Sequence, residues 1–411
     1  MTYYTDTLTD QTDESKLTKF AYRLFYVAIL SSGYVLFEPA PFDLLILLTI
    51  FLMLFTNIVL PRQIKWVLAI CFVNLMGSFA GIVYSDHYSD SYMHIVVTTY
   101  MSLFAIGLII MIYNDPHKVI TLLIKAYVWA ALISTILAIL GYFHVGPTYD
   151  LFTLYGRAKG GFKDPNVYGP FIIPPMLYLL ERIVSGGSKV KLIALAKFSI
   201  LLLGLLLSFS RGAWGVFLFS TLIMFASMYY TAPTNRFRVH LSLYIVISIL
   251  FMCLALLAAL NIPAIADLLS ERASLSQSYD IEDGGRFTHH TDALKILIET
   301  PLGIGAKEFG WTYGEDVHNT YLTQFLIGGW VAGFSYLFIA FTTMIAGFKY
   351  CFQTFPLRKL FVVFYATFIS LSVEAWIIDI DHWRILYILL GVIWGVIFYQ
   401  KYSADQQDQY A

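Results

Sequence analysis

Apolar stretches long enough to cross a lipid bilayer recur along almost the whole of this chain, and they restrict its fold more than any other feature. A helix needs roughly 20 apolar residues to span the hydrocarbon core, and only helices and closed barrels satisfy their backbone hydrogen bonds there. Segments of that kind run from Phe20 to Phe37, Phe42 to Leu60, Lys65 to Tyr84, Tyr92 to Tyr113, Val119 to Gly141, Val167 to Val184, Val190 to Leu207, Gly212 to Tyr230, Val239 to Leu260, Thr320 to Phe348, Leu360 to Ile378 and Trp383 to Tyr399. Between several of them stand helix-stopping groups such as Pro61-Arg62, Asn114-Asp115-Pro116 and Thr231-Ala232-Pro233. The reading is an all-α polytopic membrane protein of about 12 transmembrane helices. Composition agrees, since 58% hydrophobic and only 13% charged residues in 411 do not make an ordinary soluble core.

The longest interruption, 261–319, divides the chain. A polar tail over 1–19 is followed by nine spans over 20–260, the loop 261–319 with an amphipathic run from Phe287 to Glu299, three further spans over 320–400, and a tail over 401–411. Lys and Arg collect on every second short loop, at Lys16, Lys19 and Arg23, Arg62 and Lys65, Lys118 and Lys125, Arg182 to Lys197, Arg236 and Arg238, Lys349 to Lys359, and Lys401. The alternate loops carry Glu38, Asp86, Asp90, Asp379 and Asp381. By the positive-inside rule both ends are expected in the cytoplasm and the long loop outside. The net charge of −1 gives no basic character suited to nucleic acid.

Three places break this pattern by putting arginine on the outer side. They are Arg157 in Tyr155-Gly156-Arg157-Ala158-Lys159-Gly160-Gly161-Phe162-Lys163-Asp164-Pro165-Asn166, Arg211 in Ser208-Phe209-Ser210-Arg211-Gly212, and Arg286 in Gly284-Gly285-Arg286; His318 follows at the mouth of the tenth span. Arg272, Lys307 and Arg384 also fall outside, without a motif. A guanidinium is a planar fork of donors matched to phosphate oxygens and stays charged in any surroundings. A cluster of them at headgroup depth suits a pyrophosphate, and the surrounding glycines let backbone approach an anion closely. His318 is the group among these that exchanges a proton near neutral pH.

Plainer readings stand beside these. A lone interfacial arginine snorkels to the headgroups, and Asn166 and Asn319 sit where helix caps are expected. His289, His290 and His382 lack metal-ligand spacing and read as bystanders. Cys71, Cys253 and Cys351 read as small buried residues. Twelve spans also suit a secondary transporter or a lipid-linked oligosaccharide flippase, for which Glu374 is the acidic group a proton-coupled carrier would use. The charges at one face and the lack of an internal repeat weigh against that class.

Taken in order, Gly-Phe-Lys-Asp-Pro-Asn-Val-Tyr-Gly (161–169), Ser-Phe-Ser-Arg-Gly-Ala-Trp (208–214), Gly-Gly-Arg (284–286), Pro-Leu-Gly-Ile-Gly (301–305) and His-Asn-Thr-Tyr-Leu (318–322) resemble the O-antigen ligase and O-antigen polymerase superfamily of bacterial membrane glycosyltransferases. The resemblance covers about 157–333. It implies a glycosyltransferase class C-like fold, an inner-membrane location and a periplasmic active site. It also implies Arg157, Arg211 and Arg286, with Lys159 and Lys163, holding the diphosphate of an undecaprenyl-pyrophosphate-linked glycan, His318 serving the acceptor hydroxyl, and Ser210, Asn166 and Asn319 in support. Such enzymes use neither metal ion nor other cofactor, because the donor is already activated by its lipid diphosphate. The acceptor is then another lipid-linked repeat, as for an exopolysaccharide polymerase, or lipid A-core, as for a ligase. The absence of an obvious basic patch for a phosphorylated core favours the polymerase.

Overall fold

The computed structural model describes residues 15–244, 246 and 286–410, and it is a bundle of long helices. In chain order these are α1 (Lys16–Ser31), α2 (Pro41–Met53), α3 (Ile64–Ile82), α4 (Tyr88–Asn114), α5 (Pro116–Tyr142), the short α6 (Tyr149–Phe152), α7 (Pro165–Phe171), α8 (Ile173–Ser185), α9 (Ser188–Leu207), α10 (Arg211–Tyr230), α11 (Arg286–Glu299), α12 (Glu308–Tyr313), α13 (Thr320–Phe348), α14 (Arg358–Glu374) and α15 (Arg384–Tyr410). Among the described residues, eight helical stretches are long and apolar enough to cross a membrane: α3, α4, α5, α7 with α8, α9, α10, α13 and α15. Helices α1, α2 and α14 coincide with three further expected segments but have only 16, 13 and 17 residues. The expected ninth span, Val239 to Leu260, lies outside the described residues beyond 246, and 261–285 of the long loop lies wholly outside them. The amphipathic run expected after Arg286 is α11.

Large apolar side chains on the outer faces of the bundle, Phe51, Phe55, Leu192, Leu218, Phe338 and Ile345 among them, are exposed. A bilayer is the solvent that such a surface suits. Inside, a core runs from Phe25 and Phe42 through Phe104 and Tyr127 to Phe361, Phe364 and Phe398.

Side-chain and backbone bonds tie the loops into two sets. At one end, Lys163 reaches Glu38 (3.0 Å), Arg157 reaches Ser208, Thr320 bonds Ala375, and His87 bonds Glu308 (3.1 Å). At the other, Asn114 bonds Val59, Lys359 pairs with Glu181 (2.7 Å) and Ser227 bonds the Cys351 carbonyl. The first end gathers the acidic and neutral loops together with the arginine and histidine motifs. There too sits Arg384, which has no sequence motif, yet its guanidinium makes a two-pronged pair with the buried Asp43 carboxylate at 2.8 and 2.7 Å.

One irregularity positions the next segment. Helix α13 is interrupted at Gly328 (φ −134°, ψ 26°) and Gly329 (φ 61°, ψ −156°). Into the gap fits Pro301-Leu302-Gly303-Ile304-Gly305: the Trp330 N–H donates to the Pro301 carbonyl (2.9 Å) and the Ile304 N–H to the Leu326 carbonyl (2.7 Å). Gly303 has φ +82°, and a Cβ there would lie 2.8 Å from the Leu326 carbonyl oxygen and 2.9 Å from the Gly328 nitrogen. The glycines of this motif are thus needed for backbone against backbone rather than for a free turn. Helix α3 closes the other side, where a Cβ on Gly81 would run into the Ile327 carbonyl oxygen.

That crossing predicts a stability difference. Gly81→Val should destabilise the solubilised protein by roughly 1–3 kcal/mol, the usual penalty for forcing carbon into a filled contact. Gly215→Ala, at a position open to space, should leave the melting temperature nearly unchanged. Equal melting curves for the two would show that the crossing is not close-packed.

Candidate functional site

The first part of the site begins with a hairpin. Strands β1 (Thr153–Leu154) and β2 (Arg157–Ala158) pair antiparallel, with Leu154 opposite Arg157. The two residues between them, Tyr155 (φ 49°) and Gly156 (φ 71°), both occupy the left-handed region, as a tight type I′ turn requires. Arg157 is therefore delivered directly by the turn. Its Nε donates to the Ser208 carbonyl (2.9 Å) and its Nη2 to Asn166 Oδ1 (2.8 Å).

The same Asn166 oxygen accepts from Ser210 Oγ at 2.9 Å. Asn166 lies one residue past the start of α7, whose N-cap is Asp164, so its amide is spent on tertiary contacts and not on capping. Ser210 caps α10, accepting from the Ala213 N–H, and α10 opens on Arg211. Close approach of α7 to α10 depends on Gly169, where a Cβ would strike that of Ala213. Arg157, Asn166, Ser208 and Ser210 are thereby one hydrogen-bonded unit beside Arg211, although Arg157 stands 54 positions before Arg211. Phe209, between the two serines, is held at φ 46°. A non-glycine residue in that region costs on the order of 1–3 kcal/mol and persists only where its surroundings dictate it.

The second part is built on α13. Asn319 is its N-cap, with Oδ1 accepting from the Leu322 N–H (3.1 Å), so the capping expectation holds at this asparagine. His318, at φ 52°, places Nε2 3.1 Å from Glu315 Oε1 and Nδ1 3.9 Å from Asp379 Oδ2. The imidazole is about 31% exposed. An accessible ring oriented by neighbouring carboxylates is the arrangement of a candidate proton acceptor.

What joins the two parts is the end of α14. Glu374 is buried, its Oε1 lies against Gly212 where a Cβ would collide, and its Oε2 has no hydrogen-bond partner among the described residues. The next carbonyl, of Ala375, accepts from the Thr320 N–H (2.9 Å), and Tyr321 donates to the Ser372 carbonyl (2.7 Å). So the turn after Arg211 and the first turn of α13 are packed against the same few residues. Sequence reading had weighed Glu374 as a carrier's proton site and had assigned Asp379 only to a loop. The signal available was the acidic turn itself, Asp379 and Asp381, at the outer end of an apolar span.

The other expected residues separate. Lys163 is exposed and paired with Glu38 rather than joined to Arg157. Lys159 follows Arg157 on the hairpin strand, partly exposed, with its N–H on the Phe152 carbonyl (2.9 Å). Arg286 is the first residue of α11; its side chain lies outside the described residues. His289, expected to be a bystander, is buried against Phe309 and Tyr313.

Asp379 has its carboxyl pushed up to about 7, first by burial and then by the Asp381 charge, with the Thr323 hydroxyl bond opposing. The folded-state value lies above the unfolded one, so the native protein binds this proton more tightly. Stability must therefore fall as pH rises from about 4 towards about 7 and level off beyond. Asp379→Asn mimics the protonated form, and in it this part of the slope should disappear. Thermal unfolding of the solubilised protein between these limits measures the difference, and identical slopes in the two proteins would refute the assignment.

Comparison with known proteins places this geometry. Residues 196–337, about a third of the chain, match the family model described as O-antigen ligase, Wzy_C; no curated protein matches. The matched stretch contains the Ser210-Arg211 turn, α11, the Pro-Leu-Gly-Ile-Gly insertion and His318, but not Arg157, Asn166 or Glu374. The chain is a helical membrane protein by the length and composition of its helices, and across residues 196–337 it is similar to the family described as O-antigen ligase.

Proposed function

We propose that this protein is a membrane glycosyltransferase acting at the extracytoplasmic face of the bacterial inner membrane on a glycan linked to undecaprenyl pyrophosphate. The observation that carries the reading is the single Asn166 oxygen shared by Arg157 and Ser210, which locks one guanidinium beside the turn that begins with Arg211. Arg211 is also the first residue of α10, whose dipole adds attraction for an anion at that end. The orientation rests on the loop charges, which favour the outer side for this end of the bundle.

In the transfer, a hydroxyl of the acceptor sugar attacks the anomeric carbon of the donor. The bond from that carbon to the lipid diphosphate oxygen breaks, the new glycosidic bond forms, and the hydroxyl proton passes to His318. Inversion at the carbon follows from a single displacement. Arg157 and Arg211, with Arg286 supplied by α11, stabilise the charge that grows on the departing diphosphate, an electrostatic role worth most in a water-poor site. Glu315 and Asp379 orient the imidazole and stabilise the imidazolium.

Polymerisation of a surface polysaccharide is the favoured form of this reaction, with a second lipid-linked repeat as acceptor, because the described loops offer no basic patch for a phosphorylated core. Transfer to lipid A-core is the second reading, and the description of the matching family favours it. Purified protein supplied with defined lipid-linked repeats and no ion gradient separates them. Longer lipid-linked glycan supports the polymerase, glycan moved to added lipid A-core supports the ligase, and unchanged glycan with both acceptors rejects the enzyme.

Arg211→Lys should lower turnover by roughly 10²–10³-fold, since a point charge replaces the two-pronged fork, while leaving membrane insertion intact. His318→Ala should lower the rate with little change in donor affinity. Wild-type turnover by a correctly inserted Arg211→Ala protein would sink the assignment.

A further inference from the structure

We propose that His94, Asp381 and His382 form a binding site for one divalent transition-metal ion, with Zn(II) the best fit, that fastens α4 to the turn between α14 and α15. The site takes no part in the glycosyl transfer described above and nothing in that reaction requires it.

The three residues come from distant parts of the chain, His94 from α4 and the other two from the turn 375–383, and one ligand atom from each lies within 4.8 Å of the other two. His94 Nε2 stands 3.8 Å from Asp381 Oδ2, too far for a hydrogen bond. The two imidazole rings lie tilted against each other, centroids 4.2 Å apart and planes at 31°. The His94–Asp381 separation is near the edge of a tetrahedron around a zinc ion, about 3.3–3.5 Å for bonds of roughly 2.0–2.1 Å, and side-chain rotation would close the difference.

The ligand set is also chemically matched. The two imidazoles favour zinc and its neighbours over calcium or magnesium, and one carboxylate completes a two-histidine, one-carboxylate set of the kind zinc accepts. Outer contacts already fix two of the ligands: Gln324 Nε2 donates to Asp381 Oδ2 (3.1 Å), and Thr98 Oγ1 lies 3.0 Å from His382 Nε2. Such partners set ring and carboxylate orientation in metal sites. Asp381, with Thr98 and Gln324, also borders a mainly apolar cavity of about 80 Å³, large enough for a water as a further ligand on the Asp381 side. The surrounding charge is mixed, with Asp381 and Glu38 negative and Lys307 and Arg384 positive.

The test uses full-length protein in lipid nanodiscs, stripped with chelator and titrated with zinc and then cobalt. The wild type should take up about one zinc per chain and show the visible bands of low-coordinate cobalt. His94→Gln and His382→Gln should weaken binding by roughly tenfold or more, whereas His117→Gln should bind as the wild type does. Helicity is followed in parallel to score the folding of the histidine variants, and Asp381→Cys serves as the second probe. That variant should retain cobalt and add a thiolate-to-metal charge-transfer band in the near ultraviolet. No uptake by the wild type at micromolar zinc, uptake unaffected by His94→Gln and His382→Gln in proteins of native helicity, or cobalt bound by Asp381→Cys without the thiolate band would each overturn the proposal.

Discussion

One amide oxygen, Asn166 Oδ1, accepts both from the Arg157 guanidinium and from the Ser210 hydroxyl, and the arrangement of this end of the bundle follows from it. Among apolar helices a guanidinium is expensive to keep unless its donors are satisfied. The Ser208 carbonyl and the Asn166 carbonyl satisfy two of them. Satisfying them requires the hairpin after α6, the start of α7 and the turn before α10 to be brought together. The same contacts explain the two strained positions. Tyr155 is held left-handed by the tight turn that presents Arg157, and Phe209 by the turn that presents both serines.

The second half of the site depends on a different device. A helix that ran straight through Gly328 and Gly329 would leave no room for 301–305, and the segment leading to His318 would have no fixed path. By breaking there, α13 exposes backbone groups that the Pro-Leu-Gly-Ile-Gly segment then satisfies. The histidine thus arrives at the mouth of α13 on a segment anchored at both ends, by the helix break behind it and by the Asn319 cap in front. Rigid elements on both sides hold a proton-accepting ring better than a free loop does.

Much of this was legible in the chain, and what was hidden has physical reasons. Apolar length alone located the eight helical stretches that are long enough to cross a bilayer among the described residues, because the bilayer sets helix length independently of packing. Arginines on the wrong side of the charge pattern marked Arg157 and Arg211, because sorting by charge is a local rule that a local exception betrays. Convergence was not legible. Asn166 looked like a cap, since cap positions and tertiary acceptors have the same residue preference; only the coordinates show Asp164 in the capping role. Lys163 looked like a phosphate ligand because it shares a motif with Arg157, yet it extends towards Glu38, a residue of another loop. The pairing of Arg384 with Asp43, and of His94 with Asp381 and His382, joins positions hundreds of residues apart, and no spacing rule can find them.

The distribution of charge over the two halves has its own logic. Arg157 and Arg211 lie on the side formed by the hairpin and α10, and Glu315 and Asp379 flank His318 on the side formed by α13 and the turn after α14. In the proposed transfer the departing diphosphate calls for the first environment and the imidazole that takes up a proton for the second. The end of α14 lies between them, with Glu374 against Gly212 on one side and the Ala375 carbonyl on Thr320 on the other. One rigid helix end thus sets the spacing between the two, which the proposed reaction requires of a donor and an acceptor that meet at a single carbon.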